Sequence, residues 1–468
     1  MVLVLTMVVL QSISFSNYAL TTKTTNIIYG SAPYLTFDGG RTRVTNTEAL
    51  LGIYLSDGRR FTPTTNNSSD NPIELPVAGQ SFADIGMLVP RNTDSIGLSS
   101  LIRAPYNYWG DDDGDGQGVN GITATGSLNL SIVDKNNRAV TRNEVLTICK
   151  APYKLTLSNG EGRLTTRYGE PNESRFSAGN ATYYINPKVA PVICFARTFI
   201  FQPIHYRWTL GLSAAIYDDN VRGFLPQSVT PSSYYLNFPT TGGNGLYFDL
   251  DIGGVSQALS WAPVSHEGIT ATMTNSTSTS VRVTLTGPVA PSSQWGTNNP
   301  GRIGRPSLPQ VFELVGRDSS GNAVVKYGFE LKKWFVNSGN YNKNHSSATS
   351  WCNNIGYHTP KVRDLTNVNC PDYAGCQSAT PSSPDGYLRR HIGGGFFSEW
   401  GNMSDYAREA NFPNYGDPNV VFYWTNDTRL HDDSAHFMIG AGHGGYRLVH
   451  NDEETEYARY LGICVYPY

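Results

Sequence analysis

The sequence predicts a mainly β protein in which β-sandwich modules precede a terminal domain of the α+β class. Three observations lead to this prediction. Short runs in which apolar and Thr- or Ser-rich positions alternate recur along the chain, as in strands with one buried and one solvated face. The 47 glycines, 27 prolines and 28 tyrosines favour many short strands joined by tight turns. The last third differs, because a helix candidate and long Gly- and aromatic-rich connections appear there.

The first two thirds of the chain contain the clearest strand candidates. Residues 27–29 and 50–55 are short apolar runs, and residues 127–133 alternate strictly, with Leu128, Leu130 and Ile132 on one face. In the next block, the alternating runs are residues 153–157, 269–274 and 281–286. The Gly- and Pro-rich residues 294–309 then suggest a linker. We therefore predict a β-rich module over residues 20–150, a β-sandwich module over 151–317 and a terminal domain over 318–468.

The charge balance excludes some partners. Lys and Arg total 35 and Asp and Glu total 38, a net charge of −3, and no stripe of basic side chains is present. We therefore expect no nucleic-acid partner. No stretch is apolar over the roughly 20 residues that span a bilayer, so the chain is not expected to be membrane-spanning. The almost wholly apolar first ten residues fit the core of a signal peptide over residues 1–19, although basic residues before the core are missing; a buried first strand is the alternative.

The terminal domain has a distinctive order of elements. An alternating strand over residues 327–335 comes first, followed by a helix candidate that ends at Trp351 and Cys352. The segment "TPKVRDLT" (residues 359–366), the strand "FYWTND" (residues 422–427) and a closing strand that contains Cys464 then follow. This order resembles the C-type lectin-like fold, in which the opening strand pairs with the closing strand and a helix cysteine bonds to a closing-strand cysteine.

The run "WCNNIGYHTPKVRDLTN" also resembles the lectin-like domains that end intimin/invasin adhesins. Upstream, "APYKLTLSNGEGRLTTRYGEPN", "NFPTTGGNGLYFDLDI" and "LPQVFELVGRDSSGNAVVKYGF" resemble the exported adhesin family of enteric bacteria that includes Zir-type secreted proteins. The resemblance implies immunoglobulin-like β-sandwich modules that present a lectin-like domain to a protein or glycan receptor at a cell surface. It also implies a secreted or cell-surface location and a virulence role. Alternatives are a secreted partner of an intimin/invasin-type outer-membrane exporter and an enzyme built on the lectin-like scaffold.

An even number of cysteines in an exported chain points to disulfide bonds. The resemblance implies that Cys352 bonds to Cys464, and grouping by domain then leaves Cys149 with Cys194 and Cys370 with Cys376. Free buried thiols are the alternative.

The sharpest chemical signal is "WGDDDGDGQG" (residues 109–118), in which Asp111, Asp113 and Asp115 occupy alternate positions and Gly116 follows. Alternate carboxylates followed by a glycine are typical of the start of a calcium loop. The twelfth position is Ile122, so the usual bidentate Glu is absent. We predict a structural Ca²⁺ site here, with a solvated acidic turn as the alternative.

The remaining motifs predict neither a sugar-binding calcium site, nor a histidine metal site, nor an active site. "DPN" (residues 417–419) and "WTND" (residues 424–427) resemble sugar-binding calcium ligands, but they lie too close together, so Trp424 is better placed in the central core strand. The seven histidines of the terminal domain have no metal-pair spacing, and we interpret them as polar loop histidines. Because no nucleophile elbow, phosphate loop or dinucleotide motif is present, we expect no enzyme activity.

The connection over residues 386–420 is too long for an ordinary loop, and its aromatic content argues against disorder. Some of its rings must pack on the core, Phe396 and Phe397 first. Together with residues 431–447, the remainder predict a partner-binding surface. The candidate residues are Trp400, Tyr406, Arg408, Tyr415 and Arg447, because Trp, Tyr and Arg dominate binding hot spots.

Overall fold

The structure, a computed structural model, confirms a mainly β chain. It describes residues 27–199, 207–341, 343–370, 375–413, 421–450 and 459–468. The predicted signal peptide lies outside these residues. The chain divides into two compact units, the first ending at Lys188 and the second beginning at Val189.

The first unit contains fourteen described strands and two short helices. The strands are β1 Ile28–Tyr29, β2 Tyr34–Leu35, β3 Ile53–Tyr54, β4 Arg60–Phe61, β5 Ile73–Glu74, β6 Ser95–Gly97, β7 Trp109–Gly110, β8 Ile122–Thr125, β9 Ser127–Val133, β10 Tyr153–Asn159, β11 Gly162–Thr166, β12 Gly169–Glu170, β13 Glu173–Phe176 and β14 Gly179–Asn186. The helices are α1 Thr47–Leu50 and α2 Leu98–Leu101, with 3₁₀ turns at Phe82–Asp84 and Ile148–Lys150.

The core of this unit lies between a five-stranded sheet, in the order β5-β14-β10-β9-β6, and a three-stranded sheet, in the order β13-β11-β8. The strict alternation of β9 and β10 explains their place, because every second side chain of each strand points into the core. Leu155 lies opposite Ile132 on one neighbour and opposite Tyr183 on the other. Leu164 of the smaller sheet is buried in the same cluster, so the two sheets form a sandwich.

Two sequence predictions for this unit are corrected. The predicted domain boundary at residues 150 and 151 is wrong, because β10 pairs along its length with β9 from before the boundary. Residues 50–55 are not one strand: α1 ends at Leu50, and only Ile53 and Tyr54 are in β3. Asn46 starts α1 by accepting a hydrogen bond from the Ala49 N–H, and such a side-chain cap favours helix over strand locally.

The second unit contains seventeen described strands and four helices. The strands are β15 Val192–Thr198, β16 Tyr217–Asp218, β17 Gly223–Phe224, β18 Thr241–Gly243, β19 Tyr247–Gly253, β20 Ser260–Trp261, β21 Val264–His266, β22 Ile269–Thr274, β23 Ser280–Thr286, β24 Gln310–Arg317, β25 Ala323–Leu331, β26 Lys333–Asn337, β27 Val421–Arg429, β28 Asp432–Gly440, β29 Tyr446–His450, β30 Arg459–Leu461 and β31 Ile463–Tyr466. The helices are α3 Ser292–Trp295, α4 His345–Ile355, α5 Val362–Leu365 and α6 Phe396–Trp400, with 3₁₀ turns at Arg207–Thr209, Pro231–Leu236 and Met403–Tyr406.

The first part of this unit is another β-sandwich. A seven-stranded sheet, in the order β16-β17-β15-β19-β23-β22-β21, faces a three-stranded sheet, in the order β20-β24-β25. Val281 and Leu285 of β23 share one buried cluster with Phe312 and Phe329 of the smaller sheet. The predicted boundary at residues 317 and 318 is wrong, because it falls inside the hairpin that joins β24 to β25.

The rest of the unit, residues 332–468, is here called the terminal region. Its opening strand β26 pairs with the closing strand β31 and also with β18 of the sandwich part. A second sheet has the order β29-β28-β27-β30. Helix α4 begins where Asn344 accepts a hydrogen bond from the Ser347 N–H and ends at Gly356, whose φ of 92° suits a residue without a Cβ. Its buried face carries Ala348, Trp351, Cys352 and Ile355, the spacing of one helical stripe.

Residues 294–309 are packed against the terminal region and do not form a free linker. The Gln294 carbonyl accepts a hydrogen bond from the Trp351 indole at 2.9 Å, and the Gly304 carbonyl accepts one from the Tyr357 hydroxyl at 2.8 Å. The indole N–H of Trp351 and the hydroxyl of Tyr357 need hydrogen-bond acceptors because they are buried. The backbone carbonyls of this Gly- and Pro-rich segment supply them.

None of the helices in the described ranges is both long enough and apolar enough to cross a bilayer.

Candidate functional site

The predicted calcium residues come together in the loop that follows β7. One carboxylate oxygen from each of Asp111, Asp113 and Asp115 lies within 4.8 Å of the other two. Asp111 shapes the loop by accepting hydrogen bonds from the backbone N–H groups of Gly114 at 3.1 Å and Gly116 at 2.7 Å. This curls the chain back on itself, so side chains at alternate positions point to one centre.

Two other segments of the first unit reach this loop. The Ser31 N–H donates to Asp113 Oδ2 at 2.7 Å, and the Thr166 hydroxyl donates to Asp115 Oδ2 at 3.0 Å. Gly30 and Gly169 approach so closely that a Cβ on either one would collide with the Asp113 or the Asp115 carboxylate. Sequence reasoning did not identify these contacts, because Ser31 and Thr166 each lie more than 50 residues from the aspartate that they contact.

The environment of Asp115 disfavours its charged form. Asp115 is fully buried, and burial, together with the charges of Asp111 and Asp113, raises its pKa to about 6. Within the described residues, none of the three carboxylates forms an ion pair, whereas the intervening Asp112 pairs with Arg43. Three carboxylates that share one centre can hold a hard cation.

The prediction of a partner-binding role is wrong for two of the five candidate residues. Trp400 and Tyr406 are fully buried, so neither ring can contact a partner directly. The Trp400 indole donates to the Thr241 carbonyl at 3.0 Å and packs on Phe238 of the sandwich part. Tyr406 packs edge-on against Tyr247. These rings fill the junction between the sandwich part and the terminal region, because large apolar surfaces gain most when they are removed from water.

The other three predicted residues have different positions. Arg408 is exposed. Tyr415 lies outside the described residues. Arg447 in β29 is half-buried, and its guanidinium lies 5.9 Å from the ring centre of Phe422 and 6.0 Å from that of Tyr460. Arg408 and Arg447 remain candidates for contact with a partner, and the prediction for Tyr415 is untested.

A continuous line of rings, here called the aromatic row, lies beside Arg447. It consists of Tyr387, Trp208, His443 and Phe422, and successive ring centres are 6.2, 6.4 and 6.2 Å apart. Tyr387 is 39% exposed, Trp208 and His443 are half-buried, and Phe422 forms the buried base. Arg207 lies over Tyr387 at 5.8 Å, so an arginine flanks each end of the row.

Backbone hydrogen bonds hold the aromatic row in place. The Leu388 N–H donates to the His443 carbonyl at 3.2 Å, and the Arg390 N–H donates to the Leu210 carbonyl at 2.8 Å. Arg389 also donates to the Arg207 carbonyl at 3.2 Å. Sequence reasoning missed Trp208, because it lies about 180 residues before Tyr387 and no local pattern links the two.

A histidine pair is buried in the terminal region. The rings of His345 in α4 and His436 in β28 stack with centres 3.3 Å apart, and His345 also packs edge-on against Trp424. The interpretation as loop histidines is wrong for these two, which are 9% and 7% exposed. Burial, together with the charge of His436, lowers the pKa of His345 to about 4, and burial also lowers the pKa of His436.

We expect acid to destabilise the second unit through this pair. Well above pH 6.5, His345 is neutral in both the folded and the unfolded chain. As the pH falls from 6.5 to about 4, the unfolded chain takes up a proton that the folded chain resists. The loss is roughly 2–3 kcal/mol by pH 4. Urea midpoints measured between pH 7 and pH 4 should show a smaller decline in His345→Gln than in the wild type. Exposed His358→Gln is the control, and an equal decline in His345→Gln would contradict the prediction.

Every cysteine that the structure describes is in a disulfide bond. Cys352 of α4 joins Cys464 of β31, the pairing that the lectin-like resemblance implies, and Cys370 joins Cys376. Cys149 and Cys194 are also disulfide-bonded.

No protein-family model matches the chain, and no curated protein matches its sequence. Among solved structures, that of invasin, a bacterial integrin-binding protein, matches 75% of this chain at 12% identity with a TM-score of 0.33. The match covers 52% of the invasin chain, so this chain corresponds to about half of that structure. A 282-residue C-terminal fragment of intimin, in complex with the intimin-binding domain of the translocated intimin receptor, matches 74% of this chain, with 93% of the fragment covered, at 12% identity and a TM-score of 0.32.

The intimin-190 fragment from enteropathogenic E. coli matches 49% of this chain and 90% of its own length at 14% identity and a TM-score of 0.26. Intimin and invasin adhesin domains are thus among the structures that the chain resembles. Likeness at this level assigns neither a partner nor a function to the chain.

Proposed function

We propose that this chain is an adhesin-like binding protein that presents its terminal region to a protein receptor on a cell surface. The aromatic row carries the proposal. Tyr387 and Trp208 offer ring surface to solvent, Arg207 and Arg447 flank them, and backbone hydrogen bonds hold the segments together. Rigid aromatic side chains lose little conformational entropy on binding, and Trp, Tyr and Arg are enriched among the residues that dominate protein interfaces.

The proposal includes a C-type lectin-like fold for the terminal region. Three features support it: β26 pairs with β31, Cys352 of α4 bonds to Cys464 of β31, and buried Trp424 lies in β27 inside the second sheet. Such a scaffold ties both ends of a domain together and leaves long connections to carry contacts.

A protein receptor fits the terminal region better than a glycan held through calcium. Among the described residues, the only group of three or more His, Cys, Asp or Glu side chains placed to hold a metal lies in the first unit. The aromatic row offers rings and guanidinium groups, which are enriched at protein interfaces.

The cysteines support an extracytoplasmic location. Every described cysteine is oxidised, and disulfide bonds persist in oxidising compartments. We place the chain in the medium or on the surface of a producing bacterium, and fractionation of cells and medium distinguishes these two. An intimin/invasin-type exporter as carrier predicts that deletion of the exporter abolishes the extracellular chain.

A cell-binding assay tests the aromatic row. We expect saturable binding of the labelled full chain to host epithelial cells, and Trp208→Ala should weaken it about 30-fold, the loss typical of a hot spot of about 2 kcal/mol. Tyr387→Ala and Arg447→Ala should weaken binding by a smaller factor. Binding should be lost when the cells are treated with trypsin and retained after enzymatic removal of glycans.

Matched controls separate binding from folding. Tyr235 is another exposed tyrosine of the same unit, so Tyr235→Ala should bind like the wild type. All variants should keep the wild-type melting temperature within a few degrees. Unchanged binding by the folded Trp208→Ala, Tyr387→Ala and Arg447→Ala variants would overturn the proposal. Binding that survives trypsin and is lost on removal of glycans would also overturn it.

A further inference from the structure

We propose that the first unit binds one calcium ion between Asp111, Asp113 and Asp115, and that the ion fastens the first described strand to the body of the unit. This goes beyond the proposed receptor-binding function, which concerns the second unit alone. The argument begins with the carboxylate of Asp115.

Asp115 is a fully buried acid with an oxygen that has no protein partner. Its Oδ2 accepts a hydrogen bond from Thr166, but Oδ1 has none within the described part of the chain, and neither does the buried Oδ1 of Asp113. Buried polar atoms in folded proteins nearly always have a partner. Both orphaned oxygens belong to carboxylates of the same cluster and can donate electron pairs, so a cation bound there would satisfy both of them.

The spacing of the carboxylates fits calcium. Oxygens bound to one Ca²⁺ at about 2.3–2.6 Å can be no more than about 5 Å apart. The three carboxylate oxygens meet this limit, since all lie within 4.8 Å of one another. The ligand atoms are all oxygen, which selects a hard cation over zinc or copper. Mg²⁺ demands a near-ideal octahedron and keeps its waters, whereas Ca²⁺ accepts the irregular set that a curled loop and nearby backbone provide.

Binding of an ion would affect three segments of the first unit. Asp111 is one of the residues that line a surface pocket, together with Tyr34, Tyr108 and Trp109. Asp113 already accepts a hydrogen bond from Ser31, which directly follows β1 and Gly30, and Asp115 accepts one from Thr166 at the end of β11. Strand β1 has only a two-residue pairing, with Gly169 and Glu170. A bound ion that neutralises these carboxylates therefore stabilises the attachment of β1 to the rest of the first unit.

Terbium luminescence provides a direct assay, because the Trp109 ring packs beside Gly116 at the centre of the loop and can sensitise a bound lanthanide. With the full chain, we expect one bound terbium that calcium displaces and magnesium displaces at least tenfold less effectively. Calcium should also raise the melting temperature, and hydrogen exchange of residues 28–31 and 166–170 should slow in calcium relative to EDTA.

Variants test which carboxylates bind the ion. Asp115→Asn keeps the shape and the bond from Thr166 but should weaken calcium binding at least tenfold, and Asp113→Asn should do the same. In EDTA, Asp115→Asn should melt no lower than the wild type, because it removes a buried charge and no favourable ion pair. Asp112→Asn is the matched control, since its carboxylate faces Tyr34 and Arg43, and it should retain calcium affinity within about threefold.

These outcomes decide the proposal. Absence of terbium luminescence and of any calcium effect on melting in folded wild-type protein would overturn it. Equal loss of binding in Asp112→Asn and Asp115→Asn would also overturn it, because that result describes a diffuse acidic surface. A magnesium affinity equal to that for calcium would refute the choice of ion.

Discussion

Replacing both Cys352 and Cys464 with alanine is expected to destabilise the second unit by about 5 kcal/mol. The bond joins residues 112 positions apart, and on the chain-entropy model the loss from freeing so long a loop in the unfolded chain is about 5 kcal/mol. Both sulfur atoms are fully buried between α4 and β31, so their removal also leaves a small cavity. Urea denaturation of the oxidised full chain measures the effect, which should be confined to the transition of the second unit.

The second disulfide of the terminal region provides the control. Cys370 and Cys376 are six positions apart, and the same model assigns so short a loop about 2 kcal/mol. The Cys370→Ala/Cys376→Ala variant should therefore lose less than half as much stability. An equal or larger loss from that variant would show that loop length does not govern the contribution of these bonds.

Replacing Glu399 with alanine is expected to cost roughly 3–5 kcal/mol, because it leaves a set of buried donors without an acceptor. Glu399 is fully buried at the junction of the sandwich part and the terminal region. Its carboxylate accepts hydrogen bonds from the N–H and the hydroxyl of both Thr240 and Thr241, and from the Gly393 N–H at 2.8 Å. The hydroxyl bonds are 2.6 Å long, as expected for a charged acceptor.

The Glu399→Gln variant tests the role of the carboxylate separately from the loss of side-chain volume. Glu399→Gln preserves size but turns one acceptor oxygen into a donor that faces other donors, so we expect a loss of about 2–4 kcal/mol even without a cavity. Glu409→Gln, an exposed change ten residues away, should be neutral. Thermal melts of the full chain compare the three variants. A Glu399→Gln protein as stable as the wild type would show that the carboxylate is not needed at this junction.

The junction also contains a buried cation. Arg390 is fully buried and donates to the Thr198 hydroxyl at 2.6 Å and the Glu399 carbonyl at 2.5 Å, and its guanidinium lies 5.5 Å and 5.2 Å from the ring centres of Tyr217 and Phe224. Polar bonds therefore tie the terminal region to the sandwich part across an apolar junction. Such bonds fix one relative position more specifically than apolar packing alone, because their donors and acceptors tolerate little displacement.

The local features of this protein could be read from its sequence alone. The alternation of residues 127–133 and 153–157 predicted β9 and the first part of β10, because a period of two depends only on neighbouring residues and on which face meets the core. The spacing of Asp111, Asp113 and Asp115 predicted a convergent cluster for the same reason, since a short loop brings alternate positions together. The helix candidate that ends near Cys352 is likewise a local signal, and it became α4.

The tertiary structure decided whatever depends on distant segments. Trp400 and Trp208 are both tryptophans in irregular or weakly patterned sequence, yet the first is buried by β18 and Phe238, and the second lines a partly exposed row with Tyr387. The unit boundary at Lys188 follows from strand pairing, which composition does not encode. Glu399 is buried, and Asp115 has an orphaned oxygen, because surfaces from remote parts of the chain close over them. Burial is a property of the assembled fold, so the sequence determined the elements and only their packing determined which side chains face solvent.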